Sequence, residues 1–99
     1  MTVEFLDVAE AEFLKAISYY NDQSEGLGYE FAAEVKRTIG RIIQYPDAWA
    51  SFTERTRRCR TIRFPYGIIY QVRKDIILIV AVMHLRQSPD TFEIRVGNL

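Results

Sequence analysis

Hydrophobic and polar positions alternate loosely over residues 2–6, which predicts a short first strand. Asp7 is predicted to be the N-cap of a helix, with Glu10 at the capping-box position. Apolar residues then recur at helical spacing as far as about Tyr20, so the first helix is expected to bury one stripe. The stripe consists of Ala9, Phe13, Ala16, Ile17 and Tyr20.

A polar, glycine-bearing stretch over 21–28 predicts a turn, and a second and stronger helical stripe follows it. Pro46 is expected to end this helix, because the residue before a proline is disfavoured in the α region. The second stripe consists of Leu27, Phe31, Val35, Ile39, Ile42 and Ile43.

The second half of the chain is rich in residues that favour strands. After a predicted loop over 47–55, residues 57–64 can alternate between two faces of a sheet. A turn is predicted at 65–67, followed by two β-rich runs at 68–73 and 76–83. Only two residues separate these runs, so they are expected to pair as a hairpin.

These elements predict one α+β domain over residues 1–99 with the order β-α-α-β-β-β. We expect a small, antiparallel three-stranded sheet with both helices on one face and the first strand at its edge. Ser88 and Pro89 resemble a helix start, so a short C-terminal helix is expected to end near Arg95.

Composition agrees with a single globular domain: the 99 residues are 48% hydrophobic and 26% charged. No apolar run approaches the ~18–20 residues that cross a bilayer, so no membrane segment is predicted. The start of the chain lacks the basic region of a secretion signal. Together with a single cysteine, Cys59, this favours a location in a reducing cytoplasm.

Charge is balanced overall but unevenly distributed. Residues 1–34 hold eight acids and one base, whereas residues 35–99 hold five acids and twelve bases. The acids of the first helix, Glu10 and Glu12 among them, are expected to be solvated surface. Five arginines fall between positions 55 and 63. A solvated sheet face is the favoured interpretation of such a run, and a site that holds phosphates or a partner's carboxylates is the alternative.

Few motifs for catalysis are present. There is no P-loop, CxxC pair, GxSxG or HExxH, and a lone cysteine and a lone histidine do not make a metal site, so no cofactor or metal is predicted. A pairing of Cys59 with His84 is conceivable, but core filling is the favoured interpretation of this cysteine. His84 and Arg86 follow the most apolar strand, where a sheet opens to solvent. In the predicted strand over residues 57–64, which holds most of the arginine cluster, alternation puts Arg58 and Arg60 on one face.

The whole pattern resembles the RelE/ParE superfamily of toxins from bacterial type II toxin–antitoxin systems, and the ParE-like, plasmid-stabilisation branch in particular. The matching segments lie at 16–20, 28–35, 45–46, 64–70 and 81–86, with Pro89 and Arg95 after them. The resemblance implies a compact toxin that inhibits growth and is neutralised by a cognate antitoxin with a commonly acidic tail. It also implies one of two targets: RelE-like members cut mRNA in the ribosome, and ParE-like members poison DNA gyrase.

For the RelE-like alternative, the resemblance implies a metal-independent, ribosome-dependent endoribonuclease. Its basic residues would be Arg58, Arg60 and Arg86, with His84 as a substitute acid or base. Two positions depart from that pattern, because Gly67 stands where the nucleases have an arginine and Phe92 where they have a tyrosine.

For the ParE-like function, which we favour, a contact surface is required and no catalytic group. Candidate binding residues are Trp49, Phe52, Arg63, Phe92 and Arg95, because aromatic residues and arginines dominate interface hot spots. For Trp49, however, cover over the helix–sheet core is the favoured interpretation. An inactive family member that only binds its antitoxin is a third alternative.

Overall fold

The computed structural model describes residues 1–87, 95 and 97. Within these residues the chain forms two helices and five strands, and the predicted α+β class is confirmed. The predicted C-terminal helix and Phe92 lie outside the described residues. In chain order the elements are β1 (Thr2–Phe5), α1 (Asp7–Gln23), α2 (Leu27–Gln44), β2 (Ala50–Ser51), β3 (Arg57–Arg60), β4 (Tyr66–Arg73) and β5 (Ile76–His84).

The strands form one sheet in the order β1-β5-β4-β3-β2. The predicted hairpin of β4 and β5 is confirmed, and β1 lies at the sheet edge as expected. The sheet is mixed, however, because β1 runs parallel to β5, with Val3 opposite Ile77. The predicted loop contains a further strand, since Ala50 pairs with Arg58 and Ser51 with Arg57.

Several element ends differ from the prediction. Asp7 is the first residue of α1 and not its N-cap, which is Leu6 and makes no side-chain capping bond. The helix continues to Gln23, three residues beyond the end of its apolar stripe. Strand β3 ends at Arg60, because the Thr61 hydroxyl donates to the carbonyl of Phe64 and draws the following residues into a tight loop.

Both helices pack on one face of the sheet, here called the helix face, as predicted. Four aromatic rings meet at the centre of this layer, with centroids 4.9–6.1 Å apart. Such contacts add a geometric preference to the area that the rings bury. The four rings are those of Tyr20, Phe31, Phe64 and Tyr66.

The opposite face, here called the outer face, carries a second buried cluster. Leu6 and Phe52 pack against this cluster. Burial on both sides explains why β5 shows a continuous apolar run and no alternation. The cluster consists of Ile69, Leu78, Val80, Ala81 and Met83.

A β-bulge in β5 determines on which face of the sheet the side chains at the end of the strand lie. Ile69 pairs with Ala81 and Tyr70 with Ile79, so Val80 is the extra residue. Val80 and Ala81 both belong to the outer cluster, and Val82 returns to the helix-face core. The bulge therefore directs His84 toward the helix face, where its ring lies 5.2 Å from that of Tyr66.

Candidate functional site

Arg58 and Arg60 lie together on the outer face, as the alternation predicted. Arg58 pairs with Ile69, a member of the outer cluster, and Arg60 pairs with Gly67 two positions along the same strand. Burial lowers the pKa of Arg58, and the positive charge of Arg60 lowers it further. Two like charges held in fixed register favour an anionic partner on this face.

Gly67 provides the space in which the Arg58 side chain lies. A Cβ atom at position 67 would come within 2.9 Å of Arg58 Cδ and 3.0 Å of Arg58 Cγ. The Arg58 guanidinium continues over the Phe52 ring, 5.2 Å from its centroid. A longer side chain at position 67 would have to displace Arg58.

His84 and Arg86 belong to a different surface. A groove of about 760 Å³ separates α1 from the ends of β4 and β5, and both residues line it. His84 Nδ1 accepts a hydrogen bond from the Arg86 backbone N–H at 3.0 Å. In the neutral ring the proton is therefore on Nε2.

The sheet thus divides the four candidate catalytic residues into two pairs. Arg58 and Arg60 lie on the outer face, whereas His84 and Arg86 line the helix-face groove. The conceivable pair of Cys59 and His84 also lacks a reactive thiol. Cys59 is 1% exposed in the core, and burial raises its pKa, although Arg41 partly offsets this.

The candidate binding residues that the structure describes do not form one surface. Trp49 is half-buried against the helix-face core and donates from Nε1 to the Arg41 carbonyl at 3.4 Å, which fits a role as core cover. Phe52 packs on the outer cluster. Arg63 forms an exposed ion pair with Glu30 at 2.7 Å.

Two helix carboxylates whose roles were not predicted from the sequence connect α1 to β5 and α2 to the loop between β3 and β4. Glu12 was expected to be solvated, and this prediction was wrong, because it pairs with Arg95 at 3.0 Å and accepts the Val82 N–H at 3.2 Å. Glu34 is 4% exposed and accepts the Ile62 N–H at 2.7 Å. Both acids lie at helical spacing within an apolar stripe, and that position could have identified them.

No cluster of three residues able to hold a metal ion occurs among the described His, Cys, Asp and Glu side chains. In the described part of the chain, neither helix is long and apolar enough to cross a membrane.

Comparison with solved structures shows that other proteins share this architecture. It is similar to a chain of the chromosomal ParDE toxin–antitoxin system from P. aeruginosa, with a TM-score of 0.74 and 15% identity over 85% of this chain and 95% of that one. It is also similar to the isolated E. coli RelE toxin, with a TM-score of 0.60 and 16% identity over 99% of this chain and 98% of that one. The chain therefore shares its fold with these two structures.

A match to a family model identifies the protein family of the chain. Residues 3–89 match the family model described as the ParE toxin of the type II toxin–antitoxin system, parDE. The chain therefore belongs to the ParE toxin family. It is the toxin component of a type II toxin–antitoxin system, and this family implies a cognate antitoxin as its partner. No curated protein sequence matches the chain significantly.

Proposed function

We propose that this toxin inhibits growth by poisoning DNA gyrase and does not cut mRNA. The observation that carries the proposal is the division of the candidate catalytic residues between two faces of the sheet. Phosphodiester cleavage requires phosphate-binding and proton-transferring groups around one reacting phosphate. A gyrase poison requires only a contact surface.

The packing around Gly67 supports the same function. The space that a third outer-face arginine would need is filled by Arg58, whose guanidinium stacks on Phe52. Arg58 and Arg60 therefore form a basic pair without the additional cation of the nuclease pattern.

One observation favours the nuclease alternative: Arg60 is exposed beside Arg58 on the outer face and could bind a phosphate there. Under that alternative, Arg60→Ala or Arg86→Ala removes mRNA cleavage while the protein still folds. Loss of one transition-state contact costs ~100-fold or more in rate.

Purified toxin should be added to gyrase with supercoiled plasmid and ATP, and to a translating extract whose mRNA ends are mapped by primer extension. We expect linear, gyrase-bound DNA in the first assay and unchanged mRNA in the second, with Arg60→Ala retaining most of the gyrase effect. Arg55→Ala, which removes an exposed arginine from the adjacent loop, is the matched control.

New mRNA ends that require translation and disappear with Arg60→Ala would overturn the proposal in favour of the endoribonuclease. No effect in either assay, from protein that still binds its antitoxin, would indicate the inactive family member.

A further inference from the structure

The loop between β3 and β4, residues 61–65, is here called the β3–β4 loop. It carries Ile62, which at 80% exposure is the most exposed large apolar side chain in the part of the chain that the structure describes. A single exposed apolar residue is common on protein surfaces and by itself carries no functional meaning. The backbone and the charges around Ile62 distinguish it from such a residue.

The backbone of the β3–β4 loop is held by hydrogen bonds to distant parts of the domain. Glu34 of α2 accepts the Ile62 N–H at 2.7 Å, and the Leu85 N–H donates to the Pro65 carbonyl at 2.9 Å. Glu34 is only 4% exposed, and burying a carboxylate is costly unless it is well paired. The domain thus uses a buried charge to hold the amide of its most exposed apolar residue.

The side chain next to Ile62 is held as well. Arg63 pairs with Glu30 at 2.7 Å, and its guanidinium lies over the Phe64 ring, 5.2 Å from the centroid. Because backbone and neighbouring side chain are already ordered, little conformational entropy is lost when a partner covers Ile62. An exposed apolar side chain on an ordered loop has the properties of an anchor that fills a pocket on another protein.

The charges around Ile62 favour an acidic partner. Arg60 and Arg63 flank it in the chain and are both exposed, and Arg60 forms no ion pair with any residue that the structure describes. A second copy of the chain would bring the same arginines together in a two-fold contact, which like charges disfavour. A phosphate backbone would pair with the arginines but leave Ile62 in water.

We propose that Ile62 is an anchor of the contact with gyrase and fills an apolar pocket of the gyrase protein that has carboxylates at its rim. Burial of this side chain supplies most of the affinity of the contact. Arg60 lies at the rim, where a charge mainly speeds association, which agrees with a gyrase effect that is mostly retained in Arg60→Ala. The proposal rests on the proposed function, because gyrase is the partner.

The test measures how much full-length toxin gives half of the maximal linear, gyrase-bound DNA with supercoiled plasmid and ATP. Ile62→Ser should require at least about tenfold more toxin, because a buried isoleucine contributes about tenfold or more to affinity. Ile62→Leu keeps the apolar side chain and should stay within about threefold. Tyr29→Ser removes a 72% exposed aromatic side chain from α2 and, as the matched control, should stay within about twofold.

Equal potency of Ile62→Ser and Tyr29→Ser would overturn the Ile62 contact and leave the proposed function standing. No linear DNA with the unaltered toxin would overturn the proposed function, and the Ile62 contact with it. Ile62→Ser should also melt with the unaltered toxin and bind the purified cognate antitoxin within about twofold in calorimetric titration. A loss of antitoxin affinity equal to the loss of gyrase potency would overturn Ile62 as an anchor for gyrase.

Discussion

The Glu34 carboxylate accepts the Ile62 backbone N–H at 2.7 Å across 28 positions of sequence. The same Oε2 atom accepts the Arg63 N–H at 3.4 Å, and Arg37 pairs with Oε1 at 3.0 Å. One buried side chain of α2 thus holds the loop between β3 and β4. Arg60, which pairs with Gly67, is the last residue before that loop. By holding the loop, Glu34 therefore also helps to hold the backbone at Arg60 on the outer face.

Replacing Glu34 with alanine is expected to lower the free energy of unfolding by about 2–3 kcal/mol, because buried amides lose a charged acceptor. Denaturant unfolding followed by circular dichroism measures the loss. Glu30→Ala, which breaks the exposed pair with Arg63, is the control and should cost less than about 1 kcal/mol. Equal losses in the two variants would show that the Glu34 contacts do not support the loop.

The contribution of Glu34 should also depend on pH. Burial opposes ionisation, but hydrogen bonds from Ile62, Arg37 and Arg63 outweigh it and lower the pKa of Glu34. A carboxyl with a lowered folded-state pKa stabilises the protein fully above its unfolded pKa of ~4.3. This stabilisation is lost as the pH falls through the lower, folded-state value.

The measurement compares the unaltered protein with Glu34→Gln between pH 7 and pH 3. The difference in unfolding free energy should be constant from pH 7 to about pH 5 and shrink as the pH falls below the unfolded pKa. A difference that grows on acidification would contradict the lowered pKa.

Local periodicity predicted the parts of the fold that depend on neighbouring residues. Two apolar stripes located both helices, and alternation placed Arg58 and Arg60 on one face. The two-residue strand β2 has no period to detect. The bulge at Val80 lies in a continuous apolar run, where nothing in the residue pattern shows that the facing changes before His84.

The roles of Glu12 and Glu34 also could not be predicted from local sequence patterns, but for a different reason. Each acid is fixed by contacts far along the chain, to Val82 and Arg95 for Glu12 and to Ile62 for Glu34. Acids on an apolar stripe signal a buried partner, but only the packing of the helix on the sheet identifies that partner.

The two helices approach so closely at Gly28 that a side chain there is expected to be destabilising. A Cβ atom at this position would lie 2.2 Å from the Ile17 carbonyl oxygen, and the Gly28 N–H already donates to Asn21 Oδ1 at 2.7 Å. Because backbone cannot move aside as a flexible side chain can, Gly28→Ala should cost about 2–3 kcal/mol of unfolding free energy. Thermal and denaturant unfolding measure this cost.

Gly40 provides the matched control in the same helix. A Cβ atom there meets nothing within 4 Å, so Gly40→Ala should stabilise the protein by about 0.5–1 kcal/mol through the higher helix propensity of alanine. Two substitutions of identical chemistry are therefore expected to have opposite signs. Similar effects at both positions would contradict the close approach of α1 and α2.

The contact between Gly67 and Arg58 predicts that substitutions at the two positions are coupled. A Cβ atom at position 67 presses on Arg58 Cδ and Cγ at 2.9 and 3.0 Å, so Gly67→Ala must move this side chain off the Phe52 ring. We expect Gly67→Ala to cost about 1 kcal/mol in the unaltered protein and little in an Arg58→Ala background, a coupling of about 0.5–1 kcal/mol. The measurement is a double-mutant cycle: denaturant unfolding of the unaltered protein, the two single variants and the double variant. Strict additivity would mean that Arg58 does not lie over Gly67.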